Sequence, residues 1–269
     1  MLTQQMHFFG AGQMAEAMIR ATINSQCFAA DHISCFDIRP SRTVELSQQY
    51  GILEQEDVAI NLANADIIVL GVRPQDDLVA IAKIINQHAK PNATLISIIA
   101  GVTLQQLGEN FGTERPIARI IPNTLTDTGL GYTGAVYNDL VDKKIVDTFV
   151  TSFGKVMHVA ENMLDIFTGY GVAGINYVYL FIEALVDAGV LAGMPREQAK
   201  AIAYENLIGA VEMLNLSNCH PRQLLDINNS PAGVGINGLF ELNQSNFAGA
   251  IQKSVLTQVR RTTELAKGK

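Results

Sequence analysis

An apolar run, Met6–Phe9, breaks on Gly10-Ala11-Gly12-Gln13-Met14-Ala15, and no other feature of the chain narrows its fold as far. A glycine straight after a strand permits a tight turn. A second, two residues on, lets backbone approach a ligand where a Cβ would stand, and a small third residue draws the following helix onto the strand. The helix that opens there aims unpaired N–H groups and its positive dipole end at an anion. In this setting G-x-G-x-x-A predicts a dinucleotide-binding βαβ unit, with Gly10, Ala11, Gly12, Gln13 and Met14 around the pyrophosphate. Asp37 closes the next strand candidate, 25 residues beyond Gly12. That is near the offset of about 20 at which a carboxylate accepts from the adenosine ribose. A carboxylate there repels a 2′-phosphate and favours NAD. Arg39, Ser41 and Arg42 follow at once, and arginines so placed hold that phosphate or simply form a solvated helix entrance. NAD and NADP both stay open.

Beyond this unit, strand candidates at 33–36, 67–71, 95–99 and 117–121 alternate with helical spacing over 13–23, 41–50 and 75–88, with Ser41 the expected cap of the second helix. Strands at 132–136 and 156–159 flank a helix within 139–152. Almost wholly apolar strands fit a parallel sheet covered on both faces, and the alternation predicts a doubly wound α/β sheet. After about Glu161 the pattern changes. Residues 163–191, 197–216 and 246–266 are apolar, Ala-rich and helical, without period-two runs. The expected organisation is an N-terminal Rossmann-type dinucleotide-binding domain, 1–159, followed by an all-helical C-terminal domain, 160–269.

The formal net charge of −7 argues against nucleic acid, which wants clustered cations. The opening residues are polar and lack a basic segment, so no secretory leader is expected. Apolar stretches such as 177–185 fall short of the ~20 residues of a membrane span. Three cysteines, Cys27, Cys35 and Cys219, without a C-x-x-C pair fit reduced thiols in a cytoplasm. The isolated His158 and His220 have no metal-ligand partner at short spacing, so no metal is expected.

The chain also resembles the pyrroline-5-carboxylate reductase family nearly end to end. Phe8-Phe9-Gly10-Ala11-Gly12-Gln13-Met14-Ala15-Glu16-Ala17 is similar to that family's opening, Val72-Arg73-Pro74-Gln75 to its V-K-P-Q, Ser97-Ile98-Ile99-Ala100-Gly101-Val102 to its S-I-x-A-G-V, and Arg119-Ile120-Ile121-Pro122-Asn123-Thr124 to its R-x-M-P-N-T. Phe181-Ile182-Glu183-Ala184-Leu185-Val186-Asp187-Ala188-Gly189-Val190, Gly193-Met194-Pro195-Arg196 and His220-Pro221 match its helical half. The resemblance implies reduction of the cyclic imine pyrroline-5-carboxylate to proline with NADPH or NADH, the last step of proline biosynthesis. It also implies a C-terminal dimerisation domain and a cofactor bordered by Val72, Arg73 and Pro74.

Two segments depart from the family. Its S-P-G-G-T-T is here Ser230-Pro231-Ala232-Gly233-Val234-Gly235, and its S-G-S-G-P-A-Y is Gly171-Val172-Ala173-Gly174-Ile175-Asn176-Tyr177. The resemblance places the substrate at these segments, at Asn176, Ser230, Gly233, Val234 and Gly235. Backbone N–H groups of a glycine-rich loop still form an anion nest for a small carboxylate, with fewer side-chain donors. Three readings follow: the family reaction itself, reduction of a different small cyclic imine, or a cofactor-binding regulatory protein with impaired catalysis.

Among single residues, Asn123 ends a sheet strand, where ligands of open α/β sheets bind; it reads equally as a turn residue. Tyr170 and Tyr177 read as packing residues with satisfied hydroxyls, Glu183 as a structural or interface residue, and no side chain is singled out as proton donor. The long apolar helices between 163 and 216 exceed what a lone domain of about 110 residues would cover. A homodimer, or an assembly of dimers, with the substrate sites near the interface is expected.

Overall fold

The computed structural model describes residues 1–54 and 57–266; the last three residues of the expected second domain lie outside them. Contacts between Cα atoms divide the chain into two units, the first being Met1–Ala173 with the chain from Gln258 onward, the second Gly174–Thr257.

The first unit runs β1 (Met6–Phe9), α1 (Gln13–Asn24), β2 (Ile33–Phe36), α2 (Pro40–Tyr50), α3 (Val58–Asn64), β3 (Ile67–Leu70), α4 (Leu78–His88), β4 (Thr94–Ser97), α5 (Leu104–Phe111), β5 (Ile117–Ile121), β6 (Tyr132–Tyr137), α6 (Lys143–Thr151), β7 (Lys155–His158) and a short α7 (Leu164–Phe167) that passes into a π-helical turn, Thr168–Val172. The described strands form one sheet in the order β2-β1-β3-β4-β5-β6-β7. Its polarity departs from the expected all-parallel arrangement at one place: β6 is antiparallel to β5, with Ile120 opposite Ala135. A parallel return needs a crossover of a dozen or more residues, usually helical, and only the 3-10 turn Thr126–Thr128 lies between the two strands. From β6 to β7, α6 supplies such a crossover and the pairing is parallel again.

Period-two alternation sends each strand's side chains to opposite faces, and both faces are covered. Ile67 and Val69 join Phe8, Met18, Ile19, Leu46 and Phe149 in one buried cluster. Ile68 and Leu70 join Phe9, Leu62, Ile85, Leu107 and Phe111 in the other. This double burial is why β3 reads as an unbroken apolar run.

Local chemistry moves two helix boundaries from their expected places. Pro40 takes the first position of α2, with Arg39 as its N-cap and no side-chain cap bond; proline tolerates that position because the N–H it lacks would be unpaired there. Ser41 therefore sits inside the helix. Helix α4 starts at Leu78 rather than 75, because the Asp77 carboxylate accepts from the Ala80 N–H at 3.0 Å. Two short helices of this unit were not anticipated. Asp57 caps α3 by accepting from the Ala59 N–H at 2.8 Å, and Thr103 with Gln106 forms a capping box on α5.

The second unit holds α8 (Ile175–Leu191), α9 (Arg196–Ser217), α10 (Pro221–Ile227), α11 (Val234–Gln244) and the first half of α12 (Phe247–Ala266). Gly189 lets α8 and α9 approach closely; a Cβ there would lie 2.7 Å from the Ala199 Cβ. The buried cluster at this crossing is small, Val186, Ala199 and Ala203 with Ile182 against it. Leu180, Leu191, Ile208, Leu216 and Phe240 are exposed. The helical stretch Glu161–Leu191 has a mean hydropathy of 1.4 over an 18-residue window that is 6% buried, long and apolar enough to cross a membrane. The expectation that no stretch reaches that length was too narrow, because it judged the apolar run 177–185 rather than the helix that contains it.

Candidate cofactor and substrate sites

β1 stands between β2 and β3 in the sheet, so the chain reverses direction across the sheet at β1, and the crevice at such a switch point is where open α/β sheets take ligands. The glycine loop opens there. Gly10 has φ +98°, and a Cβ on it would come within 2.7 Å of the Gly71 carbonyl; the turn between two strands leaves room for nothing larger. Gly12 is a different case. Its backbone is extended, φ −69° and ψ −177°, and a Cβ there would meet no protein atom within 4 Å. Nothing in the chain's own packing requires glycine at this position, whereas close approach of a ligand to the backbone does. Gly12 is the N-cap of α1 and supplies no side-chain cap, so the first N–H groups of that helix need acceptors from outside. These features fit a dinucleotide pyrophosphate.

Ala11, between the two glycines, is held through both its N–H and its carbonyl. The Ala11 N–H donates to Asp37 Oδ2 at 3.1 Å, and the Ala11 carbonyl accepts from Arg42 Nε at 3.0 Å. Asp37 Oδ1 accepts from the Arg39 N–H at 3.0 Å. The Arg39 side chain is 68% exposed, that of Arg42 only 8%. Arg42 pairs with Glu16 of α1 and with Glu45 of its own helix. Glu16 also accepts from the Tyr50 hydroxyl at 2.7 Å; this bond and the one from Arg42 hold its carboxyl below the usual range. Arg20 of α1 reaches Tyr50 at 3.3 Å and grips both oxygens of Asp127, at 2.8 and 2.7 Å. That grip holds the Asp127 carboxyl down in turn. Sequence reading passed over Glu16, Arg20, Tyr50 and Asp127. The available signal was charge spacing, Glu16 to Arg20 at i,i+4 and Arg42 to Glu45 at i,i+3.

The neighbouring loops are also braced. After β3, the Arg73 N–H donates to Asp76 Oδ2 at 2.8 Å and its guanidinium pairs with the same carboxylate, which closes the Val72-Arg73-Pro74 loop. After β5, Asn123 is buried and its Oδ1 accepts from the Leu125 N–H at 2.9 Å. It packs on Gly131, whose φ of +87° and lack of a Cβ make the space. Arg119, buried in β5, donates to Glu161 Oε1 at 3.2 Å.

In the second unit, Ser230, Gly233, Val234 and Gly235 lie in one turn leading into α11, and Asn176 lies in α8. The Gly233 N–H closes a turn onto the Ser230 carbonyl at 3.0 Å. Gly233 is the N-cap of α11 and supplies no side-chain cap, so this helix also presents unpaired N–H groups. A Cβ on Gly233 would collide with Ser230 Oγ, and one on Gly235 would lie 2.6 Å from Asn229 Oδ1. Val234 is 95% exposed. Ala232 has φ +58°, a left-handed conformation that an L side chain adopts at a cost. Asn176 is exposed in the first turn of α8. The expected satisfied hydroxyls do not hold for both tyrosines: Tyr177 Oη is buried without a partner among the described residues, and Tyr170 is largely exposed rather than packed. His220 acts as a helix cap, Nδ1 accepting from the Arg222 N–H at 3.2 Å.

Residues 161–265 match the family described as pyrroline-5-carboxylate reductase dimerisation, and 5–101 the family described as NADP oxidoreductase coenzyme F420-dependent. The pyrroline-5-carboxylate reductase of Synechocystis sp. is 32% identical over 98% of both chains. That of Pisum sativum is 33% identical over 96% of this chain and 95% of its own. The crystal structure of Plasmodium falciparum pyrroline carboxylate reductase with NADP bound superposes with a TM-score of 0.89 at 28% identity, covering 99% of both chains. With identity of this level along its whole length, and a glycine cradle to match, the chain belongs to the pyrroline-5-carboxylate reductase family.

Proposed function

We propose that this chain reduces pyrroline-5-carboxylate to proline, the last step of proline biosynthesis, with NADPH or NADH as hydride donor. The observation that carries the reading is Gly12, a glycine that only a ligand requires, in a chain matching reductases of this name from end to end. When bound, the reduced nicotinamide supplies the hydride. The imine carbon accepts it as the C=N double bond becomes single, and the nitrogen keeps the proton it carries as an iminium. A cyclic imine takes up that proton from water, so the protein's main task is to hold the reactants together, which by itself supplies several kcal/mol.

In this reading Gly10, Ala11, Gly12, Gln13 and Met14 hold the pyrophosphate, and Asp37 and Arg39 face the adenosine ribose. Val72, Arg73, Pro74 and Asn123 border the rest of the cofactor. The substrate carboxylate rests on the N–H groups of Gly233, Val234 and Gly235, with Ser230 and Asn176 beside it. Residues 1–159 serve the cofactor and 160–269 the substrate and dimerisation. The exposed apolar helices of the second unit are covered by a second copy rather than by lipid, as residues 161–265 match a dimerisation family. The protein acts in the cytoplasm, where its three thiols stay reduced; burial pushes Cys27 up and Cys35 up to about 11, so both remain protonated.

Val234 at the mouth of α11 favours a second reading, reduction of a different small cyclic imine, because an exposed isopropyl group stands where the family pattern has a hydroxyl. One assay tests both. NADH and NADPH are each offered with pyrroline-5-carboxylate, piperideine carboxylates and pyrroline-2-carboxylate, and oxidation is followed by absorbance. The first reading expects fastest turnover of pyrroline-5-carboxylate. Activity confined to the other imines would replace it with the second, and no oxidation above background would leave only a cofactor-binding regulatory protein.

A further inference from the structure

Two arginines follow Asp37, and the structure separates them. Arg42 is buried, and each nitrogen of its guanidinium has a partner: Nε donates to the Ala11 carbonyl, Nη2 to Glu16 and Nη1 to Glu45. Three of its five N–H donors are committed within the protein, and the side chain is only 8% exposed, so little of it is open to a phosphate arriving from solvent. Arg39 is exposed, and among the described residues its side chain is partnered by Asp37 Oδ1 alone, at 3.4 Å. We propose that Arg42 is a positioning residue for the whole dinucleotide, fixing with Asp37 the two peptide planes on either side of Ala11, and that discrimination of the adenosine 2′-phosphate falls to Arg39.

The geometry gives the reason. Gly10 is fixed by its N–H to the Phe36 carbonyl, 2.8 Å, and by the backbone of Gly71 beside it. On Gly12, the place a Cβ would take has no protein atom within 4 Å. Between them, the two peptide planes on either side of Ala11 set where the Gly12 N–H points as the chain enters the first turn of α1. A peptide plane with no bond on it can rotate; here the Gly10–Ala11 plane is held through its N–H by a carboxylate and the Ala11–Gly12 plane through its C=O by a guanidinium, both charge-assisted bonds. The guanidinium is itself held by an alternating series of charges, Glu45, Arg42, Glu16 and, through Tyr50, Arg20 and Asp127. Glu16 lies in α1, the helix whose N-terminus faces the pyrophosphate, so the clamp ties loop and helix together. It touches the part of the cofactor that NADH and NADPH share, so it cannot tell them apart.

The inference rests on the reading that this loop binds a nicotinamide dinucleotide, and the test keeps the two separate. Dissociation constants for NADH and NADPH are measured by nicotinamide fluorescence on the full-length protein, with the Michaelis constants for cofactor and imine alongside. Arg42→Met should weaken both cofactors by a similar factor, about ten- to hundredfold for loss of a charge-assisted bond. The Michaelis constant for the imine should move less than about twofold, an order-of-magnitude bound within the spread of such effects. Arg42→Lys, which keeps the charge and one donor, should restore part of the affinity. Arg39→Ala should weaken NADPH alone by about tenfold or more, as loss of a charged hydrogen bond does. Because Arg42→Met strands the Glu16 carboxylate, the double variant Arg42→Met with Glu16→Gln serves if the single one does not fold, with the same expected loss. An Arg42 variant that loses NADPH but keeps NADH would overturn the assignment, since Arg42 would then read the phosphate. So would one that binds both as the parent does, or an Arg39→Ala protein with an unchanged NADPH-to-NADH ratio. If the parent protein binds neither dinucleotide, the cofactor reading itself fails.

Discussion

The two units of this chain reach stability by different means. In the first, a sheet buried on both faces collects two clusters that include Phe8, Met18, Ile19, Ile68 and Phe149, all inaccessible to solvent. In the second, helices as long as the 22 residues of α9 enclose only Val186, Ala199 and Ala203. A sheet between two helical layers closes its own core, because every strand has neighbours above and below. Helices packed at a single crossing leave most of their apolar stripe outside it, and that surface must be covered by something else. The first unit is thus a self-sufficient scaffold for a binding loop, and the second leaves exposed apolar helices in a stretch that matches a dimerisation family.

Substitutions weigh this contrast. Phe149 lies among the rings of Phe28 and Phe153, at 6.3 and 5.2 Å. Phe149→Ala should cost about 3–5 kcal/mol in denaturant unfolding, and a cost below about 1 kcal/mol, the size of an ordinary point change, would mean that the core lies elsewhere. Leu180 is 72% exposed in the single chain. If a second copy covers it, Leu180→Ser should cost about 1.5–3 kcal/mol per chain. The loss should depend on protein concentration, with a shift toward the 29.2 kDa monomer on size exclusion. An effect within about 0.5 kcal/mol, as for a free surface, would break the contrast between the units.

Acid gives a third measure, confined to the first unit. His7 is fully buried in β1 with Nδ1 on Ser34 Oγ at 2.9 Å, and burial pushes its pKa from 6.5 down to about 3. The folded state keeps this imidazole neutral while the unfolded chain takes up a proton below pH 6.5. Stability is therefore intact above pH 6.5 and falls as the pH drops from there toward 3, by about 2 kcal/mol between pH 7 and pH 5. His7→Phe should flatten that part of the stability curve; an unchanged slope would show that other groups carry it. The smallest expected effect is in the second unit. Ala232→Gly removes the left-handed penalty of about 1–2 kcal/mol, less the entropy a glycine adds to the unfolded chain, about 0.4–1 kcal/mol. A net gain of roughly 0.5–1 kcal/mol should appear in thermal melting, and a loss would mean that the turn is not strained there.

Much of this was legible in the residues. The glycine loop, the strands at Met6–Phe9, Ile33–Phe36 and Ile117–Ile121 and the change to helices after Glu161 follow from spacing that local chemistry enforces. The short helices α3 and α5 escaped because seven or eight residues give two turns, too few for an apolar period to stand out; only their caps announce them. The antiparallel β6 escaped because polarity depends on what connects two strands, not on the strands themselves.

The sequence by itself determined that Gly10-Ala11-Gly12 would be a turn into a helix, since only glycine tolerates a φ of +98° against the neighbouring backbone. It also determined that apolar strands would be covered twice. Tertiary structure alone decided what each charge near that loop does. Ala11 and Arg42 are 31 residues apart in the chain, and Arg20 and Asp127 107 apart. Whether an arginine faces solvent or a buried carbonyl depends on which helix packs beside it, and that is a property of the folded sheet rather than of any local run of residues.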